Sequence, residues 1–279
     1  MGLLLSGLAC VTRLDADETG EYLLEPLFTR YAQTYDKITV DLRERYFDDL
    51  RLQEINHFDG WTTDLTVTFP FNERFEITVL LPIYTYGRAN RFDVPTHDRV
   101  TVKGPGAIFD YPSIYFAHQL IEASTGPVNA GYFLGVGAHL DEWGQLQTTH
   151  KDILNHQGLL LHGGLRADRF FADGKWRLAA NVGGRYYYES DDLNPGGGSD
   201  HFYHLEASGA AVYHPKHLFL HPAAELEYRG DLNGYNAVWV VPEVLIPISS
   251  SFEMRIGVPL RMTQDGERFG VNLHLTARF

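Results

Sequence analysis

The last twelve residues constrain the fold more than any other stretch. In Arg268-Phe-Gly-Val-Asn-Leu-His-Leu-Thr-Ala-Arg-Phe279 one face is Phe269, Val271, Leu273, Leu275, Ala277 and Phe279; the other is Arg268, Gly270, Asn272, His274, Thr276 and Arg278. Strict alternation over this length marks a strand with two chemically different faces. The preceding segment repeats it, with Phe252, Met254, Ile256, Val258, Leu260 and Met262 set against Glu253, Arg255, Gly257, Pro259, Arg261 and Thr263. Two neighbouring strands therefore carry charge on one side and an unbroken apolar row on the other. A soluble sandwich shows the opposite pattern, because its packed interior excludes charge while its outer face need not be continuously apolar. A barrel with lipid outside and water inside matches both faces.

Similar segments lie near 37–46, 61–71, 75–86, 107–120, 129–140, 158–169, 175–188, 202–214, 217–229 and 235–247, which brings the expected count to twelve. The count is even, as in single-chain bacterial barrels with both termini on the periplasmic side. Alternate connections are then short periplasmic turns, at Asn72-Glu-Arg74, Ser124–Pro127, Ala172–Gly174, Pro215-Lys216 and Ser249–Ser251. Long stretches near 87–106, 141–157 and 189–201 fit the outer loops. Trp61, Phe75, Trp176, Tyr186, Tyr188, Tyr203, Tyr228 and Phe279 are suited to the aromatic girdles at the two membrane interfaces. The fold class expected is all-β: a closed antiparallel transmembrane β-barrel of about 12 strands over 37–279, with a polar interior. Residues 11–36 do not alternate and read as a periplasmic lead-in or a plug.

Other sequence features narrow the function. A net charge of −13 disfavours a basic phosphate-binding face, so nucleic acid is not an expected partner. No run of eighteen apolar residues is present, which excludes a helical span and leaves a barrel open. The single cysteine, Cys10, rules out a disulfide framework and a cysteine zinc cage. It closes Met1-Gly-Leu-Leu-Leu-Ser-Gly-Leu-Ala-Cys10, which reads as the remnant of a signal peptide; acylation of Cys10 is an open alternative.

The C-terminal block from Val241 to Phe279 resembles a family of bacterial outer-membrane barrels, the transporters associated with the meta-pathway of phenol degradation. Gly257-Val-Pro259, Asp265-Gly266, Gly270-Val271 and Phe279 carry the resemblance, with Leu81-Pro82 and Tyr86-Gly87 as a second stretch. The family has a leucine-rich turn where this chain reads Leu-Arg-Met-Thr-Gln, which places Arg261 on the inward face. The resemblance implies a Gram-negative outer-membrane channel for passive passage of small solutes, hydrophobic or aromatic ones among them. Outer-membrane lipid surrounds such a barrel, and the barrel assembly machinery reads its terminal Phe279.

Inward parity assigns Arg166, Arg177, Arg185, Arg229, Arg255, Arg261, Arg268 and Arg278 to the lumen, facing Glu206, Glu225, Glu227, Glu243 and Glu253. Basic residues are 18 Arg against five Lys, the choice expected where planar paired contacts hold a confined geometry. Arg166, Arg177, Arg185, Glu206, Glu225, Glu227, Glu253, Arg255 and Arg261 are the expected pore-lining set. They serve either as a constriction that sorts solutes or as an ion-paired ladder that stiffens a narrow barrel. No catalytic residue, metal site or cofactor is expected. His201 and His204 are three apart on a strand and point to opposite faces; the group His214, His217 and His221 spans a turn. Asp191–Asp200 lacks the ordered spacing of a calcium loop. His204 and Ser208 share a face about 13 Å apart, too far for a dyad. The alternatives are an outer-membrane barrel enzyme of the lipid-hydrolase type and a soluble ligand-binding β-barrel.

Overall fold

The structure is a computed structural model that describes residues 24–50, 56–90, 99–105, 111–138, 147–148, 159–172, 174–188, 201–215, 219–231 and 234–279. The expected signal remnant over 1–10, Cys10, and the Asp191–Asp200 loop lie outside these residues. So do His217 and much of the three long connections.

The described residues contain fifteen strands and no helix. They are β1 (Thr39–Leu50), β2 (Asn56–Asn72), β3 (Phe75–Asn90), β4 (Arg99–Pro105), β5 (Ser113–Ile121), β6 (Asn129–Ala138), β7 (Gln147–Thr148), β8 (Leu159–Phe171), β9 (Trp176–Tyr188), β10 (His201–Tyr213), β11 (His221–Gly230), β12 (Asn236–Ser249), β13 (Phe252–Gly257), β14 (Leu260–Arg261) and β15 (Phe269–Arg278). All pairings are antiparallel, and β1 closes the ring by pairing β15 from Thr39↔Arg278 to Asp48↔Phe269. Closure leaves no open strand edge for lipid to face. Three of the fifteen continue other strands: β4 pairs the outer part of β3 while β5 pairs its first part, β7 pairs β4, and β14 carries the line of β13 against β12 and β15. The wall is therefore a closed antiparallel barrel of twelve staves.

The departures from the expected strands have local causes. The stretch 252–262 splits around Val258-Pro259, because proline offers no ladder donor; Met262 N–H resumes the pairing on Val238 O at 2.8 Å. The expected strand at 107–120 is β5, from Ser113, while β4 falls within 87–106, expected as an outer loop; residues 106–110 between them lie outside the described residues. In β3 a bulge leaves Ile83 unmatched between Pro82↔Asp64 and Tyr84↔Thr63. Buried residues accordingly switch from Glu76, Leu80 and Pro82 to Thr85, Gly87 and Ala89. A single added residue moves every later side chain to the other face.

The outer surface carries exposed Leu134, Leu165, Val182, Leu205, Leu226 and Ile256. Exposed Trp61, Tyr84, Tyr86, Tyr186, Tyr188 and Tyr203 ring one end; Phe71, Phe171, Trp176 and Phe279 mark the other, the terminal end, where β1 begins and β15 finishes. This apolar exterior between aromatic rims is the membrane-barrel pattern.

The interior is not uniformly polar, contrary to expectation. The inward row of β12 is buried and apolar at Ala237, Trp239, Val241 and Leu245, broken only by Glu243. It is covered by the chain itself: residues 24–38 precede β1, and 24–35 run inside the barrel, in the half nearer the start of β1, before 36–38 emerge exposed. Leu24 packs with Val212, Ala223 and Leu245, Leu27 joins the Trp239–Val241 cluster, and Tyr31 and Tyr35 pack with Ala179. Apolar lumen residues occur where a plug removes them from water.

Candidate functional site

The plug has almost no secondary structure of its own, so its backbone groups must find partners elsewhere. The barrel wall supplies them. Glu243 accepts Leu27 N–H at 3.1 Å, and Glu225 accepts Phe28 N–H at 3.0 Å and Thr29 N–H at 2.6 Å. Asp168 accepts Ala32 N–H at 2.8 Å, and Glu76 accepts Tyr35 N–H at 3.2 Å. Arg255 donates to the carbonyls of Glu25 and Pro26, both at 3.3 Å. Asn181, its amide oriented to satisfy the network, takes both backbone groups of Arg30.

Within the plug, Glu25 is the hub. Its carboxylate receives Arg30, Tyr31 N–H at 2.9 Å and Tyr35 Oη at 2.6 Å. Burial alone would raise this carboxyl, but Arg30 and these donors outweigh it and hold Glu25 below its ordinary value.

Above the plug lies a cavity of about 240 Å³, floored by Leu27, Phe28 and Arg30. Its wall includes Arg43, Arg45 and Phe47 from β1, Tyr115 from β5, Phe133 from β6, and His162 and Arg166 from β8. Arg185 from β9, Glu206 from β10, Glu227 and Arg229 from β11, Trp239 from β12 and His274 from β15 complete much of it. Glu206 is shared: Arg185 Nε and Arg229 Nε both stand 2.9 Å from one oxygen, and His162 Nε2 stands 3.2 Å from the other. Glu267, in the connection from β14 to β15, also reaches the cavity. Burial pushes its carboxyl up to about 7 against the opposing pull of its own amide, Arg229, Arg45 and Trp239.

The expected pore-lining residues divide by depth. Arg166, Arg185, Glu206 and Glu227 border the cavity. Arg177, Glu225 and Arg255 lie at plug level instead. Arg177 bonds Asp168 at 2.6 Å and Gln33 of the plug at 2.9 Å, with its guanidinium 3.5 Å from the centre of the Tyr31 ring. Arg255 pairs with Asp41 at 2.9 Å. Glu253 pairs with Arg278 at 2.5 Å beside the termini. Arg261 stands 3.6 Å from Asp49 near the opposite rim and donates to Gly266 O at 2.9 Å.

Arg268 departs from its assigned parity. It precedes the first residue of β15, is largely exposed, and pairs with Asp48 at the rim at 2.5 Å. The acids Glu25, Asp41, Asp64, Glu76 and Asp168, which hold much of this network, were missed by sequence reasoning. The four on strands share a signal, a carboxylate at an inward position, as Asp41 and Asp64 show within otherwise ordinary alternation; Glu25 lies in the segment that does not alternate.

His201 and His204 part to opposite faces: His201 stacks on Tyr188 outside, and His204 is buried inside. His214 and His221 meet across their turn, with Nδ1 atoms 3.1 Å apart. Among the described residues no group of three or more metal-ligating side chains forms.

No family model and no curated protein matches this sequence. Similarity appears among solved structures. An outer-membrane channel from Pseudomonas putida F1 aligns over 91% of this chain and 99% of its own, with a TM-score of 0.60 at 12% identity. The transport unit of the autotransporter AIDA-I from Escherichia coli aligns over 92% of this chain and 93% of its own, with a TM-score of 0.55 at 11% identity. This chain has the fold of outer-membrane barrels.

Proposed function

We propose that this protein is a Gram-negative outer-membrane channel for passive passage of small solutes, with the plug as its gate. The observation that carries the reading is the cavity itself, a partly polar space inside a barrel with a lipid-type exterior, floored by the chain's own N-terminal segment. The terminal end is periplasmic, so the cavity faces the outer medium and the plug stands between it and the periplasm. Phe28, Phe47, Phe133 and Trp239 give the cavity flat apolar surface beside its charges. This agrees with the aromatic solutes that the C-terminal family resemblance implies. The fold of the Pseudomonas putida channel supports the same reading.

Nothing in the site calls for a chemical step, and we read the protein as a channel rather than a hydrolase. His204 and Ser208 share the inward face of β10 too far apart to act together. Its partners are the solute, outer-membrane lipid, and the assembly machinery through Phe279.

Planar-bilayer conductance with liposome swelling over sugars, organic acids and aromatics tests the proposal. Replacing Glu225 and Glu243 with Ala removes the acceptors for three successive plug amides. Conductance should rise while the barrel keeps its heat-modifiable migration. A folded double variant that passes no solute would overturn the channel reading.

A further inference from the structure

We propose that the cavity above the plug binds small organic anions through their carboxylate, and that Arg30 couples this binding to release of the plug. The inference rests on the channel reading and adds a solute class and a trigger to it.

The argument starts from how the ion pairs are oriented. A lumen with both signs of charge looks unselective when charges are only counted. Yet in three pairs bordering the cavity the guanidinium stands forward and the carboxylate behind it. Arg30 is 20% exposed and its partner Glu25 is 2%; Arg45 is 17% and Asp64 is 1%. Arg43 over Asp41 repeats the order, whereas Arg166 and its partner Glu76 both border the cavity. Each neutral pair is then a dipole with its positive end toward the solute, and the low-dielectric wall strengthens its field. Guanidinium forks match carboxylates in geometry as well as in charge.

The acids that do face the cavity oppose this only in part. Glu206 is already engaged by Arg185, Arg229 and His162, Glu227 stands 3.9 Å from Arg229 and Glu76 3.7 Å from Arg166, which leaves Glu267 as the fourth acid at the cavity.

Arg30 is special because it belongs to the plug. The same guanidinium that borders the cavity bonds Glu25, the hub that also holds Tyr31 N–H and Tyr35 Oη. A carboxylate arriving from the cavity competes with Glu25 for Arg30. It therefore binds better to a plug whose internal lock is open, and differential binding of this kind shifts the population toward release.

The full-length chain in planar bilayers tests this, with succinate and erythritol as charged and neutral probes added on the side away from the termini. Succinate should raise the open probability and erythritol should not. Arg45→Gln with Arg166→Gln should raise the half-effective succinate concentration by about tenfold, the loss of one charge-assisted contact. Arg30→Gln should raise basal opening and abolish the succinate response. Equal responses to the two probes, or a succinate response that survives Arg30→Gln, would overturn the proposal and leave the channel reading intact. Failure of the channel reading looks different: no passage of any solute, even with the Glu225 and Glu243 acceptors removed.

Discussion

Arg177 and Arg268 are both arginines at strand starts, and both pair with an aspartate. Burial separates them. Arg177 is 2% exposed and Asp168 lies beneath it, so Arg177→Met leaves a carboxylate buried without its cation. That should cost about 3–5 kcal/mol, read as a lower unfolding temperature in detergent. Arg268→Ala, at the exposed rim, should leave the unfolding temperature unchanged. Glu267 supplies a pH test. Its folded value of about 7 stands above the ordinary 4.5, so the folded chain holds this proton more tightly than the unfolded chain. Stability should fall as pH rises between those values, by up to about 3 kcal/mol, with the full loss present above pH 7. Glu267→Gln should flatten the profile and be the more stable protein at pH 8. Parity alone indicated the inward face of Arg177, Arg185 and Arg255. It was silent on depth, because alternation repeats identically along a strand. Parity also misplaced Arg268, since β15 begins one residue later.

At the scale of elements, the β8–β9 pair depends on small residues. Gly164 faces Gly183 across the ladder and Phe133 lies over it from β6. A Cβ on Gly164 would meet Val182 O at 2.4 Å and the Gly183 Cα at 2.7 Å, both backbone atoms that cannot swing away. Gly164→Ala should therefore cost about 1–3 kcal/mol and reduce the heat-resistant folded band. Gly209→Ala in β10 is the control, with its nearest neighbour at 3.8 Å, and should fold normally. The strands themselves were largely legible, as were the short turns at Asn72–Arg74 and Ser249–Ser251, because lipid outside and water inside impose a period of two. What the pattern hid were its interruptions. Pro259 splits β13 from β14, and the bulge at Ile83 reverses the faces of β3; both act on backbone pairing, which a hydropathy pattern does not encode.

For the whole molecule, the plug was legible only as a segment that does not alternate. Its position was not, because its anchors Asp168, Glu225, Glu243 and Arg255 lie 130 or more residues away and bond to its backbone rather than to recognisable side chains. The opposite case is Phe279, whose proposed part in assembly has no packing partner behind it among the described residues. In the folded barrel the residue is 75% exposed at the terminal rim, and its N–H donates to Ile38 O at 2.9 Å. So exposed a ring adds little to the core, since the apolar area it removes from water is small. Its contribution should then lie in assembly rather than in stability. Phe279→Ala, refolded in detergent, should unfold at the temperature of the parent chain, while the same variant expressed in cells should accumulate less folded barrel in the outer membrane. A parallel fall in the unfolding temperature of the purified barrel would assign Phe279 to packing instead.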